Sequence, residues 1–230
     1  MNSPLPTVFN HTSFALGTNC PLFHWILFNK YNYDRLVEAG LIDAIPFRRE
    51  STAKTSFKLM VNIIRNYLTV QPTVQQQVDQ RRQTFNGQTS IGFHIRKGDK
   101  HADFKETRNF LYDRDVLAFP QCVIVQNHTN AVLYVASDSN EAKKMVQKAT
   151  HHRVIVSSTV ARHSHAAMRK EKNVDILMDS FVDLLAVASC DFIVGTWKSS
   201  FSVVAGAFRG VTPYFVQPWK RCAIPERIAF

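Results

Sequence analysis

Apolar and polar positions change their rhythm along this chain. Ser90–Ile95 is a short, β-branched apolar run bounded by Gly87 and Gly98, which predicts a buried strand. Residues 131–136 form a second such run, ending in Ser137-Asp138-Ser139, and further strands are expected at 153–156, 191–195 and 213–216. The segments between them follow a helical period at 141–149, 174–188 and 200–208. In the second of these, Val174, Leu177, Met178, Phe181 and Leu185 fall on one face. Strands that alternate with helices predict an α/β fold: a parallel sheet with right-handed crossovers and helices on both faces.

The pattern before residue 88 is different. Residues 1–50 are irregular, with a strand or short helix at 23–28 and a helix at 33–40 that stops at Gly40. A clearer helix spans 54–68, with Phe57, Met60, Val61, Ile64 and Leu68 on one side. Pro72 breaks it, and Thr73 is the expected cap of a second, polar helix running to about Phe85. The chain of 230 residues therefore divides into a short, partly helical amino-terminal region, 1–87, and an α/β domain, 88–230.

The chemistry gathers where the first α/β strand ends. His94-Ile95-Arg96-Lys97-Gly98-Asp99 emerges at its carboxyl end, where ligands bind in open α/β sheets. An arginine there offers a forked donor to phosphate. Gly98 would let backbone approach a ligand, and Asp99 could brace the loop. The formal charge is +10, and from Arg48 to Arg108 twelve Lys/Arg face five Asp/Glu. Such a field suits polyanions, either nucleic acid or a nucleotide diphosphate.

Further groups sit at other expected strand ends. Thr196-Trp-Lys-Ser-Ser-Phe-Ser202 follows a strand and opens a helix, so Ser199 or Ser200 is a cap, and the free N–H groups of that helix start attract phosphate. Asp138 could accept from a ribose or base, or cap the helix that follows. Asp175, Asp179 and Asp183 share a helical stripe, and Asp183, in an apolar stretch eight residues before Asp191, is the one drawn toward the cleft. Asp113-Arg114-Asp115 has the Asp-x-Asp form of some metal sites but follows no apolar strand, so no metal is expected there. His151-His152 and His163-Ser-His165 lack the i, i+4 spacing of a zinc pair and read as solvated. The absence of Gly-x-Gly-x-x-Gly and Walker sequences argues against a dinucleotide dehydrogenase or a P-loop ATPase.

The four cysteines make no Cys-x-x-Cys pair; Cys190, inside an apolar run, reads as a buried free thiol, while Cys20 and Cys222 are candidates to pair. Asn10-His-Thr12 and Asn127-His-Thr129 match the glycosylation acceptor pattern, a number close to chance for this length. No apolar run approaches the ~18–20 residues of a membrane span. Met1 to Pro6 has no basic segment followed by an apolar one, so no signal peptide is expected there and a cytoplasmic address stays open.

Three segments in order carry a resemblance: His94-Ile-Arg-Lys-Gly-Asp99, Tyr134-Val-Ala-Ser-Asp138, and Asp183 with Cys190-Asp-Phe-Ile-Val-Gly-Thr196 and Ser199-Ser200-Phe201. Together they resemble the superfamily of α1,2-, α1,6- and protein O-fucosyltransferases with its His-x-Arg-x-Gly-Asp motif, over about 67–218 and closest to the α1,6 branch. The resemblance implies the Rossmann-like, GDP-fucose-binding domain of a GT-B glycosyltransferase, with region 1–87 in the place of the acceptor domain. It implies that Arg96 binds the β-phosphate and His94 supports the donor loop containing Gly98, Asp99 and Lys100. Asp138 would face the nucleoside, Asp183 would help hold the donor, and Thr196, Ser199, Ser200 and Phe201 would contact phosphate. Fucose would pass with inversion to a glycan or glycoprotein hydroxyl, without a metal, in the Golgi or endoplasmic reticulum lumen.

The chain departs from that pattern in two places. The glycine-rich opening of the family's amino-terminal domain is not apparent, and the α1,6 branch's base column falls on Phe104, leaving Asp103 and Glu106 as substitutes beside it. A nucleotide-sugar-binding module without catalysis is therefore the alternative. A basic nucleic-acid-binding protein is a third option, but it would interleave aromatic residues with the basic cluster, and residues 48–108 show few.

Overall fold

The computed structural model describes residues 68–97, 111–157, 174–197 and 199–217, together with Phe57, Val61, Asn62, Ile64, Arg65 and Cys222. The elements expected at 23–28 and 33–40 lie outside the described residues, as do Gly98, Asp99, Lys100, Asp103 and Glu106. In chain order the described elements are α1 (Pro72–Gln83), β1 (Ser90–Ile95), α2 (Asp113–Leu117), α3 (Val123–Gln126), β2 (Val132–Ser137), α4 (Asn140–Ala149), β3 (Val154–Val156), α5 (Val174–Ser189), β4 (Phe192–Thr196), α6 (Ser200–Arg209) and β5 (Tyr214–Val216). The five strands form one sheet in the order β3-β2-β1-β4-β5, and every neighbouring pair is parallel. The expected α/β architecture is present.

Alternation along β1 explains the two layers. Ile91, Phe93 and Ile95 point to one face, where they meet Leu133, Val135 and Val194 from neighbouring strands and Val116, Phe119 and Val146 from the α2–α4 side. On the other face Tyr134 and Ile193 pack with Val182, Ala186 and Val187 of α5 and with Val74 and Val78 of α1. A smaller cluster joins Val203 and Ala207 of α6 to Phe215, Phe57 and Ile64. Each large apolar side chain withdrawn from water this way contributes ~1.5–3 kcal/mol against chain entropy.

The middle of the sheet has no room to spare. A Cβ on Gly92 would lie 2.9 Å from the Val187 carbonyl oxygen and 3.1 Å from Cys190 Sγ. Gly92 thus lets α5 run directly against the backbone of the central strand. Ser90 closes the amino end: its amide and hydroxyl donate to Asp191 Oδ2 at 2.9 and 3.1 Å, and the Asp191 amide returns a bond to the Ser90 carbonyl at 2.9 Å.

Some expectations need correction. Gln71, not Thr73, is the N-cap of α1, because Pro72 already occupies the first turn, where its missing N–H does no harm. The crossover from β1 to β2 contains α2 and α3, which are too short to show a helical period. Cys222 pairs with Cys122 rather than Cys20, its Cα 5.0 Å from its partner's across a sequence separation of 100. Cys190 is free and buried as expected, and burial pushes its thiol pKa up.

Replacing Gly92 by Ala is expected to destabilise the fold by ~1–3 kcal/mol, since the new methyl meets helix backbone that cannot rotate aside. A lowered urea midpoint with an unchanged m-value is the signature to look for.

Candidate functional site

In this strand order the chain leaves β1 toward β2 on one side, and later returns to place β4 on the other. The carboxyl ends of β1 and β4 therefore flank the switch point, the position where open α/β sheets hold ligands. Arg96 and Lys97 follow β1, Ser137 and Asp138 end β2, and Thr196 ends β4 just before the first turn of α6.

Side chains from both neighbouring strands hold the end of β1. The Arg96 amide donates to Thr196 Oγ1 at 2.8 Å, and that hydroxyl donates to the His94 carbonyl at 3.1 Å. On the other side the Lys97 amide donates to Asp138 Oδ1 at 2.9 Å, and Ser137 Oγ donates to the Ile95 carbonyl at 2.7 Å. Asp138 thus meets the backbone beside the basic pair, while Ser139 is the cap of α4, accepting from the Ala142 amide.

The two basic side chains differ in their surroundings. Lys97 Nζ lies 2.7 Å from both Asp113 and Glu141. Burial works against its charge, but these hydrogen bonds outweigh it and raise its pKa. Among the described residues no carboxylate forms an ion pair with Arg96. Asp113 therefore neutralises Lys97, and its neighbour Asp115 accepts from the Tyr112 amide at the start of α2, 2.9 Å away. His152 is also engaged, contrary to the solvated reading: its Nε2 donates to the His128 carbonyl at 3.2 Å and its Nδ1 accepts from Thr150 Oγ1 at 2.8 Å. His163 and His165 lie outside the described residues.

His94 connects the strand end to the helix start. Its Nδ1 lies 2.9 Å from Ser202 Oγ and 3.3 Å from Ser199 Oγ, and its ring stacks on Phe201 with centroids 4.1 Å apart. Ser199 is the N-cap of α6, yet its hydroxyl turns to His94 rather than to a helix amide. First-turn amides of an α-helix have no intrahelical acceptor, so the start of this ten-residue helix presents partial positive charge beside Arg96. Ser200 is exposed at that first turn. Burial, reinforced by the Arg96 charge, lowers the His94 pKa to about 3, so the ring is neutral at neutral pH.

Asp183 joins a different group. Its carboxylate pairs with Arg81 of α1, accepts from Tyr134 Oη at 2.8 Å and accepts from Ser157 Oγ at 2.5 Å. Lys143 Nζ extends this cluster by donating to the Ser157 carbonyl at 3.0 Å. Burial first, and then the Asp183 charge, push the Tyr134 pKa up, which keeps the phenol a donor. Removing one partner of such a buried pair costs about 3–5 kcal/mol, so the group ties α1, β2 and α5 together. Sequence reasoning gave no role to Arg81, Tyr134, Ser157 or Ser202. Only Ser202 carried a signal, because it lies one helical turn after Ser199.

The neutral buried histidine has a pH consequence. An unfolded histidine takes a proton below a pKa near 6.5, whereas native His94 does so only near 3. Between those values the unfolded state binds more protons, so stability falls as pH falls, by up to about 1.4 kcal/mol per pH unit. Urea midpoints measured across this window are expected to fall with acidification, and His94→Gln is expected to flatten that slope.

No protein-family model matches the chain, and no curated protein matches it in sequence. In three dimensions it is similar to a mutant of Arabidopsis thaliana FUT1 in complex with GDP, with a TM-score of 0.52 and 11% identity, covering 79% of this chain and 43% of that one. Weaker likenesses are to NodZ α1,6-fucosyltransferase soaked with GDP-fucose (TM-score 0.47, 16% identity, 86% of this chain and 65% of that one) and to POFUT1 in complex with GDP-fucose (0.45, 12%, 86% and 60%). The chain thus spans less than half the length of FUT1. At this identity the FUT1 likeness speaks for the fold alone. The parallel five-stranded sheet with helices on both faces is an α/β fold similar to that of FUT1.

Proposed function

We propose that this chain binds GDP-fucose at the switch point and acts as a fucosyltransferase-like glycosyltransferase. The observation that carries the reading is the clamped Arg96: its backbone is bonded to Thr196, and it stands beside the start of α6 without an acidic partner among the described residues. A guanidinium carried on an anchored backbone beside a helix start suits a diphosphate. The fold likeness to a GDP complex supports the same ligand.

In this reading Arg96 stabilises charge on the departing diphosphate, and the first turn of α6, with Ser199, Ser200 and Phe201, shares it. His94 and Thr196 hold these two elements in register. Asp138 contributes through the Lys97 amide, Asp183 through the fold beneath β2, and Gly98, Asp99 and Lys100 complete the donor loop. An acceptor hydroxyl of a glycan or glycoprotein attacks the anomeric carbon from the face opposite GDP, with inversion. Asp103 or Glu106 takes its proton. The positive groups take the place of a metal ion, and the reaction belongs to the Golgi or endoplasmic reticulum lumen.

Calorimetric titration with GDP tests the site. Arg96→Ala is expected to weaken binding ten- to a hundredfold, since a charge-assisted bidentate contact contributes roughly 1.5–3 kcal/mol. Chelator is expected to leave the affinity unchanged. Unaltered GDP affinity in a folded Arg96→Ala protein would remove Arg96 from the site, and loss of binding in chelator, restored by manganese, would bring in a metal.

The base is tested separately. Transfer by this chain is expected to be slow, because Phe104 stands in the base column. Asp103→Asn or Glu106→Gln is expected to cut any measured rate by about 10²–10⁴-fold while GDP affinity holds. Brisk transfer that survives both changes would move the base elsewhere.

A further inference from the structure

We propose that Asn127 carries an N-linked glycan. The Asn127-His128-Thr129 pattern alone carries little weight, but two independent structural observations bear on it.

The first is the Cys122–Cys222 disulfide. Such bonds form and persist in oxidising compartments and are rare where glutathione keeps thiols reduced. Cys122 is fully buried in the core cluster beneath β1, so the bond belongs to the folded architecture and not to an exposed pair oxidised by chance. In a eukaryotic cell, the compartment that makes this bond is the one in which Asn-x-Thr acceptors are used.

The second is the shape of the acceptor segment. Asn127 and Thr129 are both exposed, in the turn between α3 and β2. The residue between them is anchored: the His128 ring packs on Phe192 at 4.7 Å, and its carbonyl accepts from the Ala131 amide at 2.9 Å and from His152 Nε2 at 3.2 Å. With His128 turned inward, the two acceptor residues face outward. Val123, 51% exposed, lies one turn earlier on the same side of α3, and a glycan would shelter it from water.

Position makes the modification compatible with ligand binding. Asn127 precedes the first residue of β2, at the amino-terminal edge of the parallel sheet, whereas Arg96, Asp138 and Thr196 are at the carboxyl edge. A glycan on Asn127 therefore leaves the switch point open. The reaction joins Asn127 Nδ2 to the anomeric carbon of a lipid-diphosphate-linked oligosaccharide. The sugar–phosphate bond breaks, the lipid diphosphate leaves with the bonding electrons, and the amide proton passes to base. The inference does not rest on GDP-fucose binding.

The test uses full-length protein isolated from its own cells, with free thiols blocked at lysis. The peptide containing Asn127 is mapped by mass spectrometry before and after peptide-N-glycosidase in heavy-oxygen water. The expected result is conversion of Asn127 to labelled aspartate in molecules whose Cys122 and Cys222 are linked. Asn127→Gln and Thr129→Ala should each abolish it, Thr129→Ser should preserve it, and GDP affinity should stay unchanged in all three. Disulfide-linked protein with an unmodified Asn127 would overturn the proposal, and so would recovery of Cys122 as a blocked free thiol. Failure of GDP binding in the wild-type chain would count against the proposed function and leave the glycan result standing.

Discussion

The site depends on two backbone amides. Arg96 N–H is bonded to the Thr196 hydroxyl, and Lys97 N–H to the Asp138 carboxylate. A chain leaving a parallel strand has lost its ladder partners, and its amides must find others or face water. Here each finds a side chain from a different neighbour, β4 on one side and β2 on the other. The first residues beyond β1 are thereby tied to both neighbours of the strand. A guanidinium on such a segment needs no further ordering of its backbone when it meets an anion, and preorganisation of this kind favours binding.

Much of this was legible in the sequence. Strands at 131–136, 191–195 and 213–216 were expected from apolar runs, and the observed strands lie within about one residue of them, as boundary scatter allows. The strand-end position of Arg96 followed from the same runs. What could not be read were contacts between residues distant in the chain. Arg81 meets Asp183 across 102 positions, and His94 meets Ser202 across 108. Nothing local announces such partners, because they exist only once the crossovers have brought the helices onto the sheet. The cysteine pairing failed for the same reason: which thiol faces Cys222 is a property of the layer in which Cys122 is buried.

Two polar clusters divide the labour around the sheet. One, built on His94, Ser199 and Ser202, joins β1 to the start of α6 and borders the candidate site. The other, built on Asp183, Tyr134, Arg81 and Ser157, ties helices to β2 and the end of β3. Both are buried and well bonded, as polar groups in a low-dielectric interior must be. Asp183 is thus an acid that the fold draws inward and pairs with a cation.

The disulfide also sets how the molecule would respond to force. It closes a covalent ring from Cys122 to Cys222 that contains β2, β3, β4 and β5, while β1 alone among the five strands lies outside it. Tension applied to the chain beyond either end of the ring passes through the sulfur bridge and cannot peel β5 from the sheet edge. The strand left to bear the load is β1, which sits between β2 and β4 and must shear past both at once. The strand that leads into Arg96 thereby sets the force the sheet withstands, and the other four strands stay tethered when it slips out.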